Sequence, residues 1–381
     1  MENIKNTERL AGYLIRLGVL AAIVWLCVTF SSVLVYIILA FIVSLIGQPL
    51  VRLMRKVRIQ GKSAPDWLLA VLSLLIIFFG LGLVVTQVIP VVTGIFRDAA
   101  LFSDMHLPEG NLIQNINNWI VSLIPGLSGD FDAVEMLLEY AKDILGGISF
   151  TGILGSVASV VASVAVGLFS VAFISFFFIK DEQLFRNIIC SLTPDRLEAS
   201  IRDAVGDIEH LLSRYFVGLI IEMLGVALVD FLGLWLVARV GASYAIGIAF
   251  IAGILNIIPY IGPLLGEILG VVLCVVLKYG AGVGLDVNIW VFALIVFLVM
   301  MAAQLVDNFI YQPLIYSKSI QATPLEIFIV ILMAGHIGGA VGMLAAIPAY
   351  TVVRVIAGRF FYHNKAVRKL MPDLKEESKN R

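Results

Sequence analysis

Charge is scarce in this chain. Asp, Glu, Lys and Arg make up 14% of its 381 residues and hydrophobic residues 60%, and the mean hydropathy is +1.02. A soluble globular domain carries about 25% charged residues, so this composition excludes one and leaves an integral membrane protein. The net charge of −1 offers no electrostatic footprint for a nucleic-acid partner. Cysteine is as sparse. Cys27, Cys190 and Cys274 share no C-x-x-C spacing and two of them lie in apolar runs, which excludes a disulfide framework or thiolate metal site and leaves small core residues.

Catalytic signatures are missing too. The chain has no H-E-x-x-H, no G-x-S-x-G and no paired Cys/His pattern, so no nucleophile or metal for intramembrane hydrolysis is visible. "GKS" at 61–63 matches the end of a phosphate-binding loop, but the position that needs the first glycine is Lys56 and no strand precedes it. The expectation is therefore a protein that is not an enzyme, hydrolyses no ATP, and uses no cofactor, metal or catalytic residue.

What the chain has in abundance is long apolar runs. A helix needs about 20 apolar residues to cross a hydrocarbon core of about 30 Å. The run 17–47 exceeds that, so it predicts two short, tightly connected helices; it is also too long for the apolar core of a signal peptide. It ends in "VRLMRKVRIQGKSAPD", with Arg52, Arg55, Lys56, Arg58 and Lys62 against one acid, which the positive-inside rule assigns to the cytoplasm. The reading along the chain is N-terminal membrane helices over 1–90, a small external helical insert over 91–148, and a membrane helix over 149–180. A cytoplasmic amphipathic helix over 181–214 follows, then a transport unit over 215–358 and a basic cytoplasmic tail over 359–381. The insert is acidic, with only Arg97 and Lys142 as bases, and the tail is basic; both termini are expected in the cytoplasm of a bacterial inner-membrane, multi-pass protein.

Within the transport unit, two apolar stretches are interrupted, 242–279 and 324–358. The first is "AGILNIIPYIGPLLGEILG" (252–270). Pro259 and Pro263 remove backbone donors and restrict the residues before them, so no straight helix runs through this point. The second is broken at "AGHIGGAVG", with Gly335, Gly338, Gly339 and Gly342. Interrupted backbone at membrane depth is tolerated only beside protein or a water-filled cavity, and paired interrupted segments point to a transporter's midplane site. The competing reading is two plain helical hairpins with turns at the membrane surface. Carboxylates inside apolar spans face a cavity or a partner, which singles out Glu222, Asp230, Glu267 and Asp307 as ion-coupling candidates, with His336 as a titratable group in the second break. Gln304 lies one turn before Asp307 and Asn308 on the same helix face.

"GILNIIPYIGPLLG" (253–266) and the stretch 304–356, which begins "QLVDNFIYQPLIY", resemble the AI-2E family of bacterial inner-membrane transporters, named for export of the quorum-sensing signal autoinducer-2. The likeness covers nearly the whole chain. Its motif positions fall on Asn256, Pro259, Gly262, Pro263, Asp307, Asn308, Pro313, Pro324, Gly335, Gly342 and Pro348; His336 and Glu267 lie off the pattern. The resemblance implies an all-α polytopic secondary transporter and a homo-oligomer, with a pentamer as the candidate assembly. The expected substrate site comprises Asn256, Pro259, Tyr260, Gly262, Pro263, Gln304, Asp307, Asn308 and Gly335. A small polar solute, with a proton or sodium, would pass by alternating access. Sodium(lithium)/proton antiport is the alternative within transport, and a scaffold without flux the alternative outside it.

Overall fold

The computed structural model describes residues 18, 21, 22, 25, 26, 28–56, 64–102, 150–191, 193–313 and 323–360. Among them 89% are helical and none is in a strand, which makes the protein an all-α polytopic membrane protein. It divides into two compact units, 1–95 with 170–381, and 96–169. In the second unit only helix ends are described, and the external insert expected over 91–148 lies, from residue 103, outside the described residues.

The described residues of the first apolar run are helical up to residue 29, turn at Phe30, and continue as α1, Ser31–Arg55, a helix of 25 residues that carries Pro49 inside it and runs through Arg52 and Arg55. The start of the basic stretch is thus helical: Lys/Arg favour a helix C-terminus, where they meet its carbonyl end. α2 spans Asp66–Phe102 and α3 Phe150–Lys180. Val51 of α1, Leu69, Ala70 and Leu74 of α2 and Ile179 of α3 bury one another. Ser73 and Ser175 reach across to backbone carbonyls of Gly47 and Ala40, each at 3.2 Å, which satisfies buried hydroxyls inside a helix packing and lets the backbones approach.

A short helix α4, Leu184–Ser191, leads into α5, Asp195–Leu232. The amphipathic stretch and the following span are therefore one helix of 38 residues, because no proline or strained glycine lies between them. A π-turn, Gly233–Val237, extends its end. α6 (Ala242–Leu255), α7 (Ile261–Ala281) and α8 (Ile289–Val306, continued by a second π-turn at Asp307–Tyr311) pack around it. Their shared core includes Leu234, Ile248, Cys274, Leu277, Phe292, Val296 and Met300. Cys190 and Cys274 are both buried free thiols.

α9, Pro324–Phe360, is continuous by hydrogen-bond pattern but leaves helical geometry at Gly338 and Gly339, the latter at φ +56°. Its length would qualify it as a membrane-crossing rod; contacts across the break show otherwise. Tyr350 Oη donates to Glu326 Oε2 at 2.9 Å, Ile331 shares a buried cluster with Ala346 and Ile347, and Gly342 lies against the carbonyl of Ala334. In a straight helix residues 326 and 350 would stand about 36 Å apart at 1.5 Å per residue. α9 is a helical hairpin with arms 324–337 and 340–360.

α6 and α7 form the other hairpin, closed by a tight turn over 256–260 in which Tyr260 takes φ +67°. A Cβ at Gly262 would overlap the Leu255 carbonyl, so only glycine admits this closure. Large apolar side chains such as Phe79, Phe309 and Ile337 face outward, at 69%, 76% and 84% exposure, as lipid-facing positions of a membrane protein do.

Candidate functional site

The site grows from three small residues and one long helix. Gly253 of α6 sits directly on α5, where a Cβ would come 2.7 Å from the Met223 carbonyl and 3.0 Å from the Ala227 side chain. That antiparallel contact brings Asn256, three residues on, to the level of Glu222. Gly225 makes room for the Tyr311 ring, which docks the π-turn after α8 at the same level. The result is a buried polar group in the middle of apolar helices: Glu222 and Asn256 at 3% exposure and Asp307 at 0%.

Its bonding is incomplete. Gln304 Nε2 donates to Asn256 Oδ1 at 3.5 Å, and Gln312 Nε2 donates to Asp307 Oδ2 at 2.8 Å and Asn308 Oδ1 at 3.0 Å. Asn256 and Glu222 are the other side chains that interact with the Asp307 carboxyl. Yet Asp307 Oδ1 and Asn256 Nδ2 are buried with no partner within hydrogen-bond distance. Buried polar atoms are nearly always satisfied in folded proteins; here an acceptor and a donor are left open next to a second carboxyl.

The π-turn has a specific role here. π-turns insert an extra residue into a helix and recur at functional sites; with one beginning at Asp307, Gln312 reaches both Asp307, five residues back, and Asn308, four back. Sequence reasoning missed Gln312, because five-residue spacing has no place in an α-helical pattern. The remaining turn residues are structural in position. Pro259 shapes the turn, Pro263 enters the first turn of α7, Gly262 closes the hairpin, and exposed Tyr260 packs its ring edge-on against Phe328 of α9, centroids 5.6 Å apart.

A second carboxylate group lies further along α5. Asp230 is 1% exposed, its Oδ1 unpartnered, and Glu267 of α7 acts on it electrostatically. Among the described residues no group of three or more His, Cys, Asp or Glu has the arrangement of a metal site. Gly335 packs against Met343 of the opposite arm, and His336 is exposed with no hydrogen bond or ion pair to a described residue. No described hydrogen bond joins either to the Asp307 group.

The two hairpins approach one level of α5 from opposite ends. The α6–α7 pair descends from the Val240 end. In α9, Arg359 pairs with Asp203 and Asp207 of α5 at 3.3 and 3.5 Å, while Ala346 and Ile347 share a cluster with Tyr215. Both fix the second arm antiparallel to α5. Continued at the same rise, the Gly338–Gly339 tip falls at about the level of Glu222.

A family model described as AI-2E family transporter matches residues 14–361. The chain belongs to the AI-2E transporter family. Among its relatives are two Bacillus subtilis (strain 168) proteins, YueF and YrrI, both provisionally named as transport proteins. YueF is 27% identical over 341 residues, covering 86% of this chain and 84% of its own. YrrI is 22% identical over 308 residues, covering 79% and 80%. Membership of the AI-2E family and the buried polar group together support a transport role for a multi-pass membrane protein.

Proposed function

We propose that this AI-2E family member is a secondary transporter that exports a small polar solute, autoinducer-2 being the candidate the family name supplies, across the bacterial inner membrane by alternating access. One observation carries the reading: an open acceptor on Asp307 and an open donor on Asn256, buried beside Glu222. A hydroxylated solute offers donors and acceptors to both. Asn256, Gln304, Asn308 and Gln312 hold its polar edge, with the turn backbone over 259–263 closing one side and the Gly338–Gly339 tip the other.

The Glu222–Asp307 pair is the coupling element. Loss of the proton or sodium ion shared between two carboxyls leaves an uncompensated buried charge, which is costly in an apolar layer, so the occupied and empty forms favour different arrangements of the hairpins. Asp230 of α5 and Glu267 of α7 extend the acidic series and serve the same ion.

Proteoliposome flux under imposed proton and sodium gradients tests this. The expected outcome is solute efflux that follows one of the two gradients, with Asp307→Asn uncoupling or abolishing it. The paired carboxyls also favour a second reading, sodium(lithium)/proton antiport, which is distinguished by ion-driven pH changes in vesicles containing no organic solute. Unchanged flux and unchanged pH dependence in Asp307→Asn would remove the coupling role.

A further inference from the structure

A cavity separate from that site lies where α5 passes from its charged to its apolar section. It measures about 570 Å³ and is bounded by the end of α1, the start of α4 and α5. Its lining is rich in arginine. Arg52 comes from α1, Arg186 from α4 and Arg214 from α5, three guanidinium groups on three elements. Apolar side chains line it as well: Pro49, Val217 and the half-exposed Ile221.

The two carboxylates in the lining are already engaged. Glu209 pairs with Arg186 Nη2. Glu182 is shared by Arg52 at 3.5 Å and Arg55 at 4.0 Å; its Oε1 has no hydrogen bond but is the atom facing Arg55. Two donors remain open. Arg186 Nε is buried with no partner, and Arg214 makes no hydrogen bond or ion pair with a described residue. His210 lies beside them on the same wall. The cleft thus keeps cationic donors unspent although acids are at hand.

Size and polarity together define the guest. Ligand sites of about 300–1,000 Å³ hold a molecule the size of a drug, so a lone phosphate ion would leave the apolar side chains of Pro49, Val217 and Ile221 uncovered. Arginine forks match phosphate oxygens, and the polar-to-apolar transition of α5 is the depth at which a phospholipid changes from head group to acyl chain. Basic pockets between membrane helices bind anionic head groups.

We propose that this cleft is a binding site for an anionic glycerophospholipid, its phosphate on the Arg186 and Arg214 guanidinium groups and its first methylenes on Pro49, Val217 and Ile221. It is independent of the transported solute.

Native mass spectrometry of the full chain in detergent, titrated with phosphatidylglycerol, phosphatidylcholine of the same chains, and inorganic phosphate, tests the assignment. The expected result is one retained phosphatidylglycerol per chain, weaker phosphatidylcholine binding, and no protection by millimolar phosphate. Arg214→Gln should weaken phosphatidylglycerol about fivefold, the equivalent of roughly 1 kcal/mol per basic residue at a membrane surface. Arg186→Gln should weaken it at least as much, and Ile221→Ser should weaken it as well. Arg196→Gln, on the same helix but off the cleft, should change nothing. Because Arg186 also holds Glu209, the exposed Arg214 decides if the Arg186 variant misfolds. Equal binding of the two lipids, competition by free phosphate at its own concentration, or an unchanged Arg214→Gln would overturn the proposal.

Discussion

Replacing Gly342 with alanine separates a folded-back α9 from a straight one by the sign of the effect. In an exposed, straight helix the change removes a glycine penalty and stabilises by about 1 kcal/mol. In the hairpin the added methyl group overlaps the carbonyl oxygen of Ala334 on the opposite arm. That atom belongs to the backbone, so it cannot turn away, and the arms must part. Overpacking of this kind costs about 1–3 kcal/mol, a sizeable share of a total stability of roughly 5–15 kcal/mol. Gly338→Ala is the internal control: nothing lies within 4 Å of its added carbon, and its φ of −131° suits any residue. Thermal unfolding in detergent should therefore show a lowered midpoint for Gly342→Ala and an almost unchanged one for Gly338→Ala. Spin labels at 326 and 350 supply the geometry. Their separation should stay below half of the roughly 36 Å of a continuous helix and widen in Gly342→Ala. A raised midpoint for Gly342→Ala, or a label distance near the straight-helix value in the parent protein, would refute the hairpin and with it the approach of its tip to Glu222.

Other consequences follow from the same contacts. Gln312→Leu removes both side-chain hydrogen bonds that the π-turn makes to Asp307 and Asn308; leaving a buried carboxylate oxygen unpaired costs roughly 1–3 kcal/mol, and solute affinity measured in vesicles should fall while protein yield is retained. Gly262→Val forces the α6–α7 turn off the Leu255 carbonyl, so flux should be lost together with thermal stability. Arg359→Gln deletes exposed ion pairs to Asp203 and Asp207; such pairs contribute about 0–1 kcal/mol, so the unfolding midpoint should hardly move, whereas labels on the second arm of α9 should gain mobility relative to α5. An intact label distribution in that variant would show that the Tyr215–Ile331–Ile347 packing alone holds the hairpin in place.

Much of this architecture is legible in residue order. Hydrophobic runs longer than a bilayer require membrane helices, and Pro259 and the glycines around 338 stop two of them because a missing donor or a left-handed backbone cannot continue an α-helix. Glu222, Asn256, Gln304 and Asp307 stand out as polar groups where hydrocarbon penalises them. Other features are not legible in this way. The unbroken passage of α5 from charged to apolar sections carries no marker, since nothing in the pattern says where water ends. Gln312 escapes notice because it works through a π-turn, whose five-residue spacing periodicity does not contain. Gly335 and His336 read as site residues by their place in the second break, yet Gly335 seals the contact between the arms and His336 faces outward.

Residue chemistry by itself determined that the chain is a helical membrane protein, where its helices are interrupted, and which polar side chains it places in apolar surroundings, because each follows from the free energy of moving local groups out of water. Only the tertiary structure decided that both interruptions fold back, that their tips converge on one level of α5, and that Glu222 meets Asp307 while an arginine cleft opens two turns away. Those outcomes depend on glycine-sized clearances between segments as distant as Gly225 and Tyr311, and close packing between remote residues is a property of the assembled chain that no local pattern encodes.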